Sequence, residues 1–343
     1  MGARKVLPIA EPDITSYAHF SYSLSVMHTD ELYLDWVYSN FIQLNLQDRT
    51  SYIFLDYFSP TITDYPIPGF YGKSHLNRNM ILRNYERFGD FLRESIDDGR
   101  YISTYVDDYY VPGTVAYQNR SNPHGILVYG YDDDNRHFLI TGYLANQTYG
   151  HTTVDYDNIE SAFKAIQLTD ESDYHNFTHV FKLNPKYGYD FNLQWVMEQL
   201  EDYTYGKSSM WRWEGIQGKD HMERSWGIGI YDELVRKIKE QMEGDFILDH
   251  RPIYVLWEHK RMMNKRIAYM ENRGYFVSSQ EVKEGYARLE RMAATSRHQI
   301  LKYWMTKDNR RLEELIKQLY QLKSEETLIN ERLLQEYRSQ ANG

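Results

Sequence analysis

The sequence predicts an α+β protein of two domains, a mixed α/β domain over residues 1–185 and an all-helical domain over residues 186–343. The chain has 343 residues, which is enough for about two ordinary domains. Aromatic and β-branched runs dominate the first part, whereas helical apolar spacing dominates the second. The net charge also changes, from −11 over residues 1–185 to +1 over residues 186–343. We place the boundary near Asn184-Pro185, because a proline tends to end the element before it.

Short strands and a few helices account for the first domain. Asp132-Asp133-Asp134-Asn135 lies between two apolar runs and predicts a hairpin turn. Strands are predicted at Tyr52–Phe58, Tyr101–Val111, Gly125–Tyr131, His137–Tyr143 and His179–Leu183. Helices are predicted over Glu31–Leu44, over Asn77–Ile96 and from Asp157, which has capping-box spacing to Glu160.

The second domain reads as five helices. They are predicted at Asp190–Leu200, Gly227–Glu243, Pro252–Asn272, from the capping box Ser278–Glu281 to Tyr303, and at Asn309–Arg338. The last helix carries Leu312, Leu315, Leu319 and Leu322 at 3–4–3 spacing, which is typical of one seam of a helix pair. Packing within the domain is the favoured interpretation of this seam. A homodimer through the C-terminal helices is the second.

Composition excludes several classes of function. The chain has no cysteine, which excludes disulfides, thiolate metal sites and a catalytic thiol. A net charge of −10 argues against binding to nucleic acid. No apolar run is long enough to cross a membrane, and the N-terminal stretch lacks the apolar region of a signal peptide, so we expect a cytoplasmic protein without a membrane partner. Nucleotide-binding motifs and metal-ligand spacings are also missing, and we therefore expect neither cofactor nor metal.

The segment from Tyr101 to Tyr143 carries the most information. One strand ends in Asp107-Asp108, His124 then opens a second strand, and Gly130-Tyr131-Asp132 ends it before a third. This order resembles the papain-like fold of double-glycine peptidases that process bacteriocins. More closely, it resembles the N-terminal domain of the butirosin biosynthesis protein H family, over most of residues 15–185.

The resemblance implies a papain-like first domain in which His124 is the catalytic base. It also implies a role in the biosynthesis of a secondary metabolite such as an antibiotic, of the nonribosomal peptide or polyketide type. The expected substrate is an acyl or peptidyl thioester, carried by a carrier protein or by a small molecule. Acyl transfer, cyclisation and elimination are the reaction types that remain open.

The sequence departs from this family at three points. The family uses a thiolate, and the matching segment here places His19 near that position, or Ser21 after a small shift. The residue that orients the base is expected at position 142, which is Gly142, and the nearest asparagine is Asn146. No glutamine precedes the segment to form an oxyanion hole, because the first in the chain is Gln43. The protein is therefore not a cysteine protease.

Three interpretations of the site remain open. Ser21 or Ser23 is an alcohol nucleophile activated by His124, or His19 and His124 act as acid and base without a covalent intermediate. In the third, catalysis is lost, and a pseudoenzyme holds a peptide or carrier protein in a cleft lined by tyrosine. The last is favoured, because all three departures fall in one site. The tyrosine content, with 20 of the 32 tyrosines in residues 1–185, fits a pocket for a large, partly polar ligand whether or not the protein reacts with it.

Overall fold

The computed structural model describes residues 2–49, 52–58, 70–186, 188–212, 214 and 222–341. The fold is mixed α+β, with antiparallel sheets and a C-terminal helical region. The chain divides into two compact units: unit 1 is Met1–Tyr33 with Thr63–Gly188, and unit 2 is Leu34–Ile62 with Tyr189–Gly343. The units therefore differ from the predicted ranges 1–185 and 186–343, because an early segment groups with the C-terminal part of the chain.

The described strands form two sheets. The strands are β1 Arg4–Val6, β2 Leu44–Arg49, β3 Tyr52–Tyr57, β4 Phe70–Asn77, β5 Tyr101–Asp107, β6 Pro123–Asp132, β7 His137–Tyr143, β8 Tyr149–Asp155, β9 Phe177–Leu183 and β10 Ser225–Trp226. Unit 1 contains the sheet β4-β9-β5-β6-β7-β8, with β1 paired to β6, and unit 2 contains the sheet β10-β2-β3. Every pairing is antiparallel. Strands β6 and β7 form the predicted hairpin, with Asp132–Asn135 at its turn.

Both units contain helices. They are α1 Ala18–Met27, α2 Leu34–Ser39, α3 Arg78–Asn84, α4 Phe88–Asp97, α5 Tyr156–Lys164, α6 Leu193–Thr204, α7 Ile230–Glu243, α8 Arg251–Asn272, α9 Gln280–Thr306 and α10 Arg310–Ala341. Among them, none is both long and apolar enough to cross a membrane.

The core of unit 1 lies between its sheet and helices α1, α4 and α5. Phe88 of α4 and Phe163 of α5 stack at 3.7 Å between ring centroids. Helix α1 is almost entirely buried, and its Tyr22 hydroxyl donates a hydrogen bond of 2.5 Å to the carbonyl of Gly125 in β6. That bond ties the helix to the strand that His124 opens, so α1 and the head of β6 form one rigid part of the unit.

Unit 2 is built mainly on helices α8, α9 and α10. The seam leucines of α10 are fully buried within the unit: Leu312, Leu315, Leu319 and Leu322. A dimer through these helices would therefore have to use other residues. The guanidinium of Arg266 in α8 donates to the carbonyls of Tyr38, at 2.8 Å, and of Asn40. These bonds explain why Leu34–Ile62 belongs to unit 2, although the sequence places it in the first domain.

Three predicted elements differ from the structure. The helix predicted over Glu31–Leu44 ends at Ser39, because Phe41 has a left-handed φ of 57° and strand β2 follows. The helix predicted over Asn77–Ile96 is two helices, since the chain is extended at Tyr85 and Arg87.

The second domain is not all-helical, which is the third difference. Strand β10 pairs with β2 in register Trp226 to Asn45. A strand of two residues is too short to show the alternation by which strands are recognised in a sequence.

Candidate functional site

The candidate site lies in unit 1, where β5 ends and β6 begins. The antiparallel register places Val106 opposite His124 and Asp107 opposite Pro123. Asp107 Oδ1 accepts a hydrogen bond from the backbone N–H of Tyr109 and so caps a short 3₁₀ turn that starts at Asp108. This turn brings the Asp108 carboxylate beside the imidazole of His124.

Asp108 is a buried carboxyl group, only 5% exposed. Its Oδ2 lies 4.0 Å from Nδ1 of His124 and accepts a hydrogen bond of 2.9 Å from the side-chain amide of Asn122. Burial raises the pKa of Asp108 to about 7; the Asn122 hydrogen bond opposes this rise, and the charge of Asp107 adds to it. The carboxyl group thus titrates near neutral pH, as acid–base groups in active sites commonly do.

His124 is open to solvent on one side. Its side chain is 37% exposed, whereas that of Asp108 is 6% exposed. Tyr143, the last residue of β7, stands edge-on to the imidazole at 5.6 Å between ring centroids. The His124 ring therefore contacts solvent and has buried Asp108 and the ring of Tyr143 as neighbours.

Tyr143 also connects this region to helix α1. Its hydroxyl donates a hydrogen bond of 2.7 Å to the carbonyl of Thr15, and the same oxygen lies 3.3 Å from Oγ of Ser21. Ser21 and His124 are thus gathered around one tyrosine, although they are about a hundred residues apart in sequence.

The two candidate alcohols are fully buried. Ser21 Oγ donates to the carbonyl of Ala18 at 3.3 Å and meets Tyr143 on its other side. Ser23 Oγ has no hydrogen-bond partner among the described residues, and its side chain is likewise 0% exposed. In this arrangement neither hydroxyl is presented to a substrate.

His19 occupies a different environment from the serines. It is half-buried on the first turn of α1, stacked on Tyr17 at 5.5 Å and against Phe20 at 4.3 Å between ring centroids. A half-buried imidazole in an aromatic setting remains accessible for binding. The structure thus separates His19, which reaches the surface, from Ser21 and Ser23, which do not.

The positions expected to orient His124 carry no group beside it in this structure. Gly142 has no side chain, and Asn146 is exposed with its Oδ1 accepting from both the N–H and the hydroxyl of Thr148. The carboxylate that does lie beside His124 belongs to Asp108, in the turn that follows β5. Two adjacent aspartates at the end of a strand are more often solvated, but Asp107 and Asp108 are only 4% and 5% exposed.

Unit 2 holds a second cluster of buried polar groups, which we call the Lys260 network. Lys260 Nζ donates to Glu326 Oε1, to the Tyr203 hydroxyl at 3.0 Å and to His259 Nδ1 at 2.9 Å. Glu326 Oε2 accepts from the hydroxyls of Tyr203, at 3.1 Å, and Tyr231, at 2.7 Å. Both charged side chains are 0% exposed.

Burial dominates the electrostatics of this network. Desolvation lowers the pKa of Lys260, while Glu326 opposes that change, and desolvation also lowers the pKa of His259 well below its usual value. His259 Nε2 lies 2.7 Å from the carbonyl of Ile42, so its ring is held from both sides. The Lys260 network joins side chains of helices α6, α7, α8 and α10, and its charged groups, which have no solvent access, offer no route for a substrate.

Metal binding has no support in the described part of the chain, where no group of three or more His, Asp and Glu side chains is placed to hold an ion. Comparison with known proteins adds no family assignment: no family model matches the chain, and no curated protein is significantly similar to it. The residues around His124 are therefore the structural basis for a functional assignment.

Proposed function

We propose that this chain is a papain-like protein of natural-product biosynthesis that acts on an acyl or peptidyl thioester without forming a covalent intermediate. The observation that carries the proposal is the approach of half-exposed His124 to buried Asp108 at 4.0 Å, while Ser21 and Ser23 are both fully buried. The resemblance to the butirosin biosynthesis protein H family supports the substrate class. A carrier protein or a small thioester is the corresponding partner.

Noncovalent acid–base chemistry suits these residues. An acceptor amine attacks the thioester carbonyl while Nε2 of His124 takes the amine proton. An amide bond forms, the C–S bond breaks, and the leaving thiolate receives that proton from the imidazolium. Asp108 orients the imidazole through Nδ1 and stabilises its protonated form. The distance of 4.0 Å exceeds a hydrogen bond, so the pair must tighten when substrate binds, as catalytic contacts often do.

Binding without turnover is the second candidate function. The same distance of 4.0 Å favours it, because it exceeds the length of a hydrogen bond between Asp108 and His124. The protein would then hold the acyl or peptidyl group of a carrier protein beside His124 and Tyr143.

The test uses a butyryl thioester of N-acetylcysteamine with a primary amine as acceptor, and follows release of the thiol. We expect His124→Gln to lower the rate at least about 100-fold, the usual contribution of a general base. His137→Gln is the matched control, since His137 opens β7 at the opposite end of the β6–β7 hairpin, and it should leave the rate unchanged.

Mass spectrometry of the intact protein completes the test. A butyryl adduct on Ser21 or Ser23 would show that the reaction is covalent and would contradict the proposed mechanism. Equal rates for the wild type and His124→Gln would remove His124 from the chemistry. If the wild type releases no thiol but shifts the NMR signals of His124 on adding the thioester, the binding function replaces the catalytic one.

A further inference from the structure

A cleft in unit 2 has a volume of about 480 Å³ and runs between the start of α9 and one face of α10. We call it the α9–α10 cleft. Its lining includes Ser278, Ser279, Arg332 and Glu336.

One wall is the segment that leads into helix α9. Ser279 is the N-cap of this helix, and its Oγ accepts a hydrogen bond of 3.3 Å from the N–H of Val282. Helix α9 has 27 residues, so the positive end of its dipole is directed at this wall. A negatively charged group is favoured there.

Ser278 provides an independent sign of a ligand. Its side chain is only 4% exposed, it lines the cleft, and its Oγ has no hydrogen-bond partner among the described residues. A buried hydroxyl without a partner costs free energy that a bound polar group can recover.

The opposite wall carries charges of both signs. Arg332 is 46% exposed, and its Nε lies 3.4 Å from Glu336 Oε1 and 3.7 Å from Glu281 Oε2. Glu336 Oε2 accepts a hydrogen bond of 2.9 Å from the N–H of Ser279, whereas its buried Oε1 accepts none among the described residues. The cleft therefore offers a guanidinium donor and a carboxylate acceptor a few ångströms apart.

We propose that the α9–α10 cleft binds the zwitterionic head of a free α-amino acid. The ligand's carboxylate lies between Arg332 and the start of α9, where the hydroxyl of Ser278 donates to it. Its ammonium group donates to Glu336 Oε1. A simple anion would meet the repulsion of Glu281 and Glu336, and a simple cation that of Arg332 and the helix dipole, so a group that carries both charges fits best.

The test titrates L-alanine into the full-length protein and follows binding by NMR through the backbone signals of Ser278, Ser279 and Gln280. We expect saturable binding that weakens at least about tenfold in Arg332→Gln and in Glu336→Gln. The glutamine at position 336 can still accept the bond from Ser279, so the start of α9 is kept. Arg338→Gln is the matched control, because Arg338 lies on the same helix but pairs with Glu201 outside the cleft, and it should bind as the wild type does.

Two analogues complete the experiment. N-acetyl-L-alanine lacks the ammonium group and L-alanine methyl ester lacks the carboxylate, and each should bind at least about tenfold more weakly than L-alanine. Equal binding of N-acetyl-L-alanine would show a plain anion site, and equal binding of the ester a plain cation site; either result overturns the proposal. Absence of saturable shifts with L-alanine overturns it as well.

Discussion

The His124 region of unit 1 and the Lys260 network of unit 2 hold buried charge in opposite ways. Lys260 and Glu326 are wholly enclosed, and tyrosine hydroxyls and an imidazole complete their hydrogen bonding. Asp108 is buried as well, but its basic neighbour His124 stands 4.0 Å away and is more than one-third exposed. The Lys260 network is thus closed to solvent and well paired, whereas the pair of Asp108 and His124 is open to solvent and loosely paired.

This difference separates a stabilising network from a candidate site. A closed pair loses stability when one partner is removed, because the remaining charge has no solvent to hydrate it. A loosely paired buried carboxyl group costs stability, and such groups with a shifted pKa are common at functional sites. Removing a carboxylate should therefore lower the free energy of unfolding when it belongs to the Lys260 network and raise it when it is Asp108.

The largest effect is expected from breaking the Lys260 network. Glu326→Gln leaves the ammonium of Lys260 buried without a counter-charge and should lower the free energy of unfolding by about 3–5 kcal/mol, measured by urea denaturation. Lys323→Met is the matched control on the same helix. Its partner Asp232 is 61% exposed, so losing that pair should cost less than about 1 kcal/mol. Equal costs for the two variants would contradict the distinction.

Asp108→Asn should change stability in the opposite direction, and with a pH dependence. Burial raises the folded-state pKa of Asp108 to about 7 from its ordinary value of 3.8, so between these pH values the folded state binds a proton that the unfolded state has released. The wild type should lose stability as pH rises through this window. At pH 8 Asp108→Asn should be more stable by about 2–4 kcal/mol, because one pKa unit corresponds to about 1.4 kcal/mol.

Denaturation curves at pH 4 and pH 8 check this sign. The advantage of Asp108→Asn should disappear near pH 4, where both states of the wild type hold the proton. Asp98→Asn is the control of opposite sign: Arg100 lowers the pKa of the Asp98 carboxyl, so this variant should not gain stability at pH 8. A loss of stability in Asp108→Asn at pH 8 would place Asp108 with the Lys260 network.

Local signals account for the parts of the molecule that could be predicted. The turn at Asp132–Asn135 and the start of β6 at His124 follow from short-range composition, and the structure contains both. The burial of Asp108 could not be predicted, because the alternation of side chains between the two faces of a strand ends where the strand passes into a 3₁₀ turn. Its burial is visible only in three dimensions.

Long-range partners account for the rest. Tyr143 connects the His124 region to helix α1 through contacts with Thr15 and Ser21, which are 128 and 122 residues away in the sequence. The run Glu258-His259-Lys260 reads as the polar face of a helix, yet all three side chains are buried. The one available signal was that three polar residues in succession cannot all lie on the exposed side of a helix with 3.6 residues per turn.

The smallest effect tests whether Ser21 belongs to the scaffold or to the chemistry. Tyr143→Phe removes the donor to the carbonyl of Thr15 and should cost about 1 kcal/mol of unfolding free energy. Ser21→Ala removes a hydroxyl with one long bond to its own helix and should change stability by about 0.5 kcal/mol or less, since alanine favours helix. Thermal unfolding of both single variants and of the double variant measures the coupling free energy between the two side chains. This energy should be small, because Ser21 Oγ and the Tyr143 hydroxyl oxygen are 3.3 Å apart.

If Ser21→Ala leaves stability intact but abolishes thioester turnover, Ser21 is a nucleophile that becomes accessible with substrate. The contrast between the two regions would then be one of motion as well as of pairing.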